Sequence, residues 1–103
     1  SRQLLDDLLK YKRLDGVTEI LTELNQSLFG QGCQSEQPGR RLGETGKRVL
    51  VVWGAGDRII PARHAGRAAA NAVVKVIEGA GHMVQMEKAG EVNNLLRQHI
   101  AGA

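Results

Sequence analysis

Apolar positions along this chain follow two different rhythms. In the first part they recur at helical spacing. Leu4, Leu5, Leu8 and Leu9 fall on one stripe of a helix predicted over 3–14, with charged residues around them. Gly16 is placed to end that helix, and Asp15 to cap the next. The second helix runs to about Phe29, with Val17, Ile20, Leu21, Leu24 and Leu28 on a single face, and Gly30 stops it. Together the two make an αα-hairpin with a very short turn.

The later part reads differently. The stretch Arg48–Trp53, RVLVVW, is a continuous apolar run rich in β-branched residues, followed by Gly54. It predicts a strand buried on both faces, as in a parallel sheet. A polar loop, GAGDRII, leads to Pro61, which opens a predicted helix over the alanine-rich PARHAGRAAANA. A second strand is predicted over Val73–Ile77. After EGAGH a last helix extends to about Ala101, burying Val92, Leu95, Leu96, His99 and Ile100. Strand, helix, strand, helix is the signature of a parallel α/β sheet. Between the two parts, GQGCQSEQPGRRLGETGK has no period of either kind and reads as a linker. The expected organisation is therefore a helical hairpin over 1–30, a linker over 31–47 and a βαβα segment over 48–103.

Composition sharpens this outline. The chain has 103 residues, room for one small domain. Aromatic residues are only 3%, so the core must be built from Leu, Val, Ile and Ala. Two strands alone do not make a stable sheet, so further strands are expected from an N-terminal portion of the same protein or from a second copy of the chain. The net charge of +3 is scattered apart from Arg40, Arg41, Lys47 and Arg48. That cluster lies in the linker without interleaved aromatics and argues against nucleic-acid binding. No apolar run approaches the roughly 20 residues needed to span a membrane. A lone cysteine, Cys33, fits a reducing cytoplasm.

The chemistry sits at the strand exits. In a right-handed βαβ unit both strands point the same way, so the loops leaving them open at one rim. That rim is where open α/β sheets bind ligands. Asp57 follows the first strand and His82 the second. An acid that orients a histidine is two-thirds of a nucleophilic triad, and the order acid-then-histidine is that of hydrolases whose nucleophile lies earlier in a G-x-S-x-G elbow. The serines present are Ser1, Ser27 and Ser35, and none sits in such an elbow. The simpler reading of Asp57 is a surface pair with Arg58. His64, His99 and Cys33 lack metal-site spacing. Trp53 reads as a core residue, and Glu87 as a cap or pairing residue near the last helix.

WGAGDRIIP resembles the acid-bearing segment of the α/β-hydrolase family, and GAGHMVQMEKAGEVNNLL resembles its histidine segment and last helix. The resemblance implies an α/β-hydrolase fold with Asp57 as triad acid and His82 as triad base. YKRLDGV, from Tyr11 to Val17, with the later GQGCQ and AGHMVQME, is similar to the acetoin dehydrogenase E2 (dihydrolipoamide acetyltransferase) subunits of that family. It implies that the hairpin derives from the cap region, while its leucine stripes read equally as a structural or oligomerising element. It also implies that the chain is the C-terminal part of an acyltransferase, with a lipoyl group on a separate domain and E1 and E3 subunits as partners. No cofactor or metal is expected within these residues. An esterase or C–C bond hydrolase would use the same site, and a non-catalytic assembly module is the reading from another class. The fragment itself is expected to be inactive, because its nucleophile is missing, and to form a homodimer through uncovered strand edges.

Overall fold

The computed structural model describes residues 1–68 and 70–102. The chain divides into two compact units, Ser1–Gln37 and a second beginning at Pro38.

The first unit is the hairpin. Helix α1 spans Arg2–Lys12 and helix α2 spans Val17–Phe29. Ser1 caps α1, its hydroxyl accepting the Leu4 N–H at 3.3 Å. Lys10 and Lys12 lie in the last turn, where positive charge suits the helix dipole. The expected cap at Asp15 is not formed. Gly16 takes the N-cap position of α2 with φ +82°, because the tight turn demands a left-handed residue there, and no side chain caps the helix. Both leucine stripes exist but are exposed, and neither helix has a buried residue.

The second unit begins with a 3₁₀ helix over Pro38–Thr45, where the sequence showed no periodicity. Thr45 closes it by donating its hydroxyl to the Leu42 carbonyl at 2.7 Å. Strand β1 spans Leu50–Gly54 and strand β2 spans Val73–Ile77. They pair in parallel, in register from Leu50 with Val73 to Gly54 with Ile77. Val52 and Ile77 thus share a face. On that face they meet Ala80, Val84 and Val92, with Leu95 alongside, in the core of this unit. Helices α3, Val84–Glu87, and α4, Ala89–Ala101, supply the last three of these apolar residues.

Several expectations are corrected here. The first strand is not buried on both faces. β1 is half-buried up to Gly54, and Val73, Val74 and Val76 of β2 are exposed, because the described residues provide only one partial layer of cover. Of the helix predicted over the alanine-rich segment, the described residues form a 3₁₀ helix over Ala62–Arg67, and Ala69 lies outside the described residues. Only Ala65 in it is buried, and alanine propensity without an apolar face to dock does not sustain a helix, least of all with Gly66 inside it. The last helix is split at Lys88, whose backbone leaves helical geometry (φ −131°, ψ 43°). Of its expected core face, Val92 is buried, Leu95 and His99 are half-buried, and Leu96 and Ile100 are exposed. Arg48 reaches the far end of α4, where its guanidinium donates to the carbonyls of His99 and Gly102 and satisfies orphan acceptors there.

One glycine decides whether the strand exits can meet. A Cβ at Gly54 would lie 2.6 Å from the Ala80 carbonyl oxygen and closer still to that of Gly81. Both are backbone atoms and cannot swing aside. Gly54→Ala is therefore expected to cost about 3 kcal/mol, read as a lowered midpoint of thermal unfolding. Gly90→Ala, where a Cβ meets nothing, is the control and should leave the midpoint unchanged or raise it. Equal midpoints for the two variants would show that the loop after β2 does not pack on Gly54.

Candidate active site

The two strand exits are laced together by the backbone. Ala55 N–H donates to the Ile77 carbonyl, and Gly56 N–H to the Ala80 carbonyl, each at 2.9 Å. Asp57 N–H turns back to the Gly54 carbonyl at 3.2 Å. These bonds bring the loop after β1 against the loop after β2 and set Asp57 beside His82, 25 positions away in sequence.

The Asp57 carboxylate is the most fully partnered polar group in the unit. Its Oδ1 accepts the backbone N–H groups of Ile59 and Ile60, both at 2.9 Å. Its Oδ2 lies 2.9 Å from Nδ1 of His82. The Asp57 side chain is 4% exposed, whereas that of His82 is 38% exposed. Burial by itself pushes the Asp57 carboxyl up. The hydrogen bonds from His82, Ile60 and Ile59, with the attraction of the imidazole, outweigh it and hold the group below its ordinary value. Asp57 is therefore ionised at neutral pH and can only accept. It follows that Nδ1 of His82 carries the hydrogen of this contact and that, in the neutral ring, Nε2 keeps its lone pair. A half-exposed imidazole with a free Nε2 and a fixed tautomer is equipped to take a proton from a nucleophile and return it.

The pairing of Asp57 with Arg58 is not formed; the side chain that meets the Asp57 carboxylate is His82. Two residues read otherwise from sequence contribute here. Trp53 is half-buried, and its indole N–H donates to the Ile60 carbonyl at 3.0 Å, steadying the turn whose N–H groups hold Asp57. Glu87 accepts the Gly81 N–H through Oε2 at 2.8 Å, directly before His82 in the chain. Neither bond leaves a periodic trace in the sequence. The available signal was a carboxylate on the first turn after GAGH, close enough to reach back. No group of three or more potential metal-ligating side chains occurs among the described residues. Of the basic cluster, Arg48 is engaged at the end of α4 and Arg41 pairs with Glu44 at 3.6 Å. No helix among the described residues is long and apolar enough to cross a membrane.

Comparison with known proteins places the sequence among relatives. The chain is 67% identical over 102 residues to the dihydrolipoyllysine-residue acetyltransferase component of the acetoin cleaving system of Cupriavidus necator, covering 99% of this chain and 27% of that protein. It is 46% identical over 103 residues to the component of the same name from Pseudomonas putida, with 96% and 27% covered. A 2-hydroxy-6-oxononadienedioate/2-hydroxy-6-oxononatrienedioate hydrolase of Paraburkholderia xenovorans is 33% identical over 104 residues, with 95% and 36% covered. The chain thus spans about a quarter of the length of the two acetyltransferase components. No solved structure matches it. The sequence pattern of the alpha/beta hydrolase family matches residues 2–95. Because that pattern takes in both strands, both loops and the acid–histidine pair they carry, the chain belongs to the alpha/beta hydrolase family.

Proposed function

We propose that this chain is the C-terminal part of a dihydrolipoamide acetyltransferase of the acetoin-cleaving type, in which Asp57 and His82 serve a serine supplied by the preceding part of the protein. The observation that carries the reading is the 2.9 Å contact between Asp57 Oδ2 and His82 Nδ1, with the carboxylate's other oxygen held by two backbone N–H groups. Similarity to two acetyltransferase components over almost the whole chain supports the choice of reaction.

In this reading the serine oxygen attacks the acetyl carbonyl carbon while Nε2 of His82 takes the hydroxyl proton. The proton passes to the leaving group as its bond to the acetyl carbon breaks, which leaves an acetyl-serine. A dihydrolipoyl thiol then attacks that ester, gives its proton to His82, and departs as the thioester while the serine oxygen recovers a proton. Asp57 stays ionised throughout and steadies the imidazolium formed in each half. The thiol enters as substrate on a separate lipoyl domain. The partners are the E1 and E3 components of the complex, in the cytoplasm. The 103 residues alone are inactive, since none of their serines lies in an elbow motif.

The hydrolase reading keeps the same three groups and makes water the acceptor, and the 33% similarity to the Paraburkholderia hydrolase favours it. The product separates the two. Full-length protein given an acetyl donor and free dihydrolipoamide is expected to form S-acetyldihydrolipoamide faster than acetate. Acetate as the main product, unaffected by the dithiol, would transfer the assignment to the hydrolases.

We further propose that the isolated chain pairs with a second copy. Val73, Val74 and Val76 of β2 are exposed, and among the described residues the outer edges of both strands lack partners. Sedimentation equilibrium at micromolar concentration should return a dimer mass, and a folded monomer would contradict the proposal.

A further inference from the structure

We propose that Glu87 is a positioning residue for His82, acting through the peptide that precedes Gly81; the proposal rests on the triad reading above. The peptide unit joining Ala80 to Gly81 is a rigid plane, and it is gripped at both ends. Its carbonyl, on Ala80, accepts the Gly56 N–H at 2.9 Å. Its N–H, on Gly81, donates to Glu87 Oε2 at 2.8 Å. One end is thus tied to the loop that carries Asp57, and the other to a carboxylate at the end of α3. His82 begins one peptide later.

The imidazole is therefore located twice. Asp57 fixes the ring from in front through Nδ1. Gly56 and Glu87 fix the backbone from which the ring projects. Ala80 is buried, so the plane has little room to tilt as long as both bonds hold. Remove the carboxylate and the plane keeps only its Gly56 bond, about which it can rotate. Gly81 is shaped for the arrangement, since a Cβ there would stand 3.3 Å from both carboxylate oxygens of Glu87 and crowd the approach. Glu87 is itself held, its N–H donating to the Met83 carbonyl at 3.0 Å, so its side chain starts from a fixed turn. The bond from the Gly81 N–H to Glu87 closes the short loop containing His82.

The test uses the full-length protein with Glu87→Ala and Glu87→Gln. Two readouts are taken: kcat and KM for acetyl transfer to dihydrolipoamide, and the rate of labelling by a serine-directed fluorophosphonate. Misplacing a catalytic group by a fraction of its own length is costly, so Glu87→Ala is expected to lower kcat and the labelling rate by about tenfold or more, with KM unchanged. Glu87→Gln keeps an oxygen that accepts the same N–H and should stay within about threefold of wild type on both readouts. Should Glu87→Ala not fold, Glu87→Asp withdraws the acceptor by one methylene and carries the same expectation. Wild-type rates in the alanine variant, an equal loss in the glutamine variant, or a rise in KM at constant kcat would each overturn the proposal. A wild-type protein that is labelled but transfers no acetyl group overturns the transferase reading alone, and the labelling rates of the variants still decide the role of Glu87.

Discussion

His82→Ala is expected to reduce acyl transfer by the full-length protein about 10⁶-fold, the scale on which removal of a triad base abolishes turnover. The size follows from what the imidazole does. A serine hydroxyl is a poor nucleophile unless its proton is taken as it attacks, and the leaving group departs poorly unless a proton is returned. In the proposed reaction His82 serves both tasks, its ring half-exposed, Nδ1 committed to Asp57 and Nε2 unoccupied. Alanine leaves a gap at the rim and removes one partner of a carboxylate that retains its two backbone N–H bonds, so the fold should survive. His64→Ala provides the comparison. It lies on the 3₁₀ helix and makes no contact with Asp57 or His82 through hydrogen bonds or ion pairs, so its rate should stay within about threefold of wild type, as for a surface substitution away from the site. The check is steady-state acetyl transfer beside a thermal melt of each variant. A folded His82→Ala protein within tenfold of wild type would remove His82 from the mechanism.

The legible part of this molecule is the part where backbone and side chain call for the same structure. β-Branched residues in RVLVVW and VVKVI can be read as strands without tertiary help, and their parallel pairing follows from the crossover between them. Once both strands point the same way, the meeting of Asp57 and His82 is a consequence of topology, and the glycines around them mark where the loops must approach closely. What the sequence hid falls into three kinds. The burial expected of RVLVVW is what that strand would reach in a complete sheet, and β1 here is only half-buried up to Gly54. The alanine-rich segment misled for the opposite reason, since its residues favour a helix locally but offer almost no side chain to pack. Glu87 was hidden because its bond runs from a side chain to a backbone N–H six residues away, which depends on the turn that α3 makes and on no repeated pattern.

Asp57→Asn is the sharper test, because it alters almost nothing except where a proton sits. In wild type, Oδ1 of Asp57 accepts two backbone N–H groups at 2.9 Å each. Asparagine has one oxygen and one NH₂, and those two donors claim the oxygen. The NH₂ must then face Nδ1 of His82, which can meet it only as an acceptor. The ring proton moves to Nε2, where a lone pair is needed, and the histidine is left in the wrong tautomer at the correct place. Transfer is expected to fall about 10⁴-fold with KM little changed, the loss that a mis-set tautomer produces in such triads.

The same substitution reports on stability. The Asp57 carboxyl lies below its ordinary value, so the stabilisation it contributes is present above about pH 4 and is lost as the pH falls through its folded-state value. Wild type should therefore lose more stability between pH 6 and pH 3 than Asp57→Asn, whose amide does not titrate. Parallel melting curves across that range would mean that the carboxylate has no preferential partners in the folded state. Such a result would undo the geometry on which the tautomer argument depends, even if the rate fell as expected. A rate loss together with a diminished acid sensitivity would tie both effects to one hydrogen-bonded carboxylate.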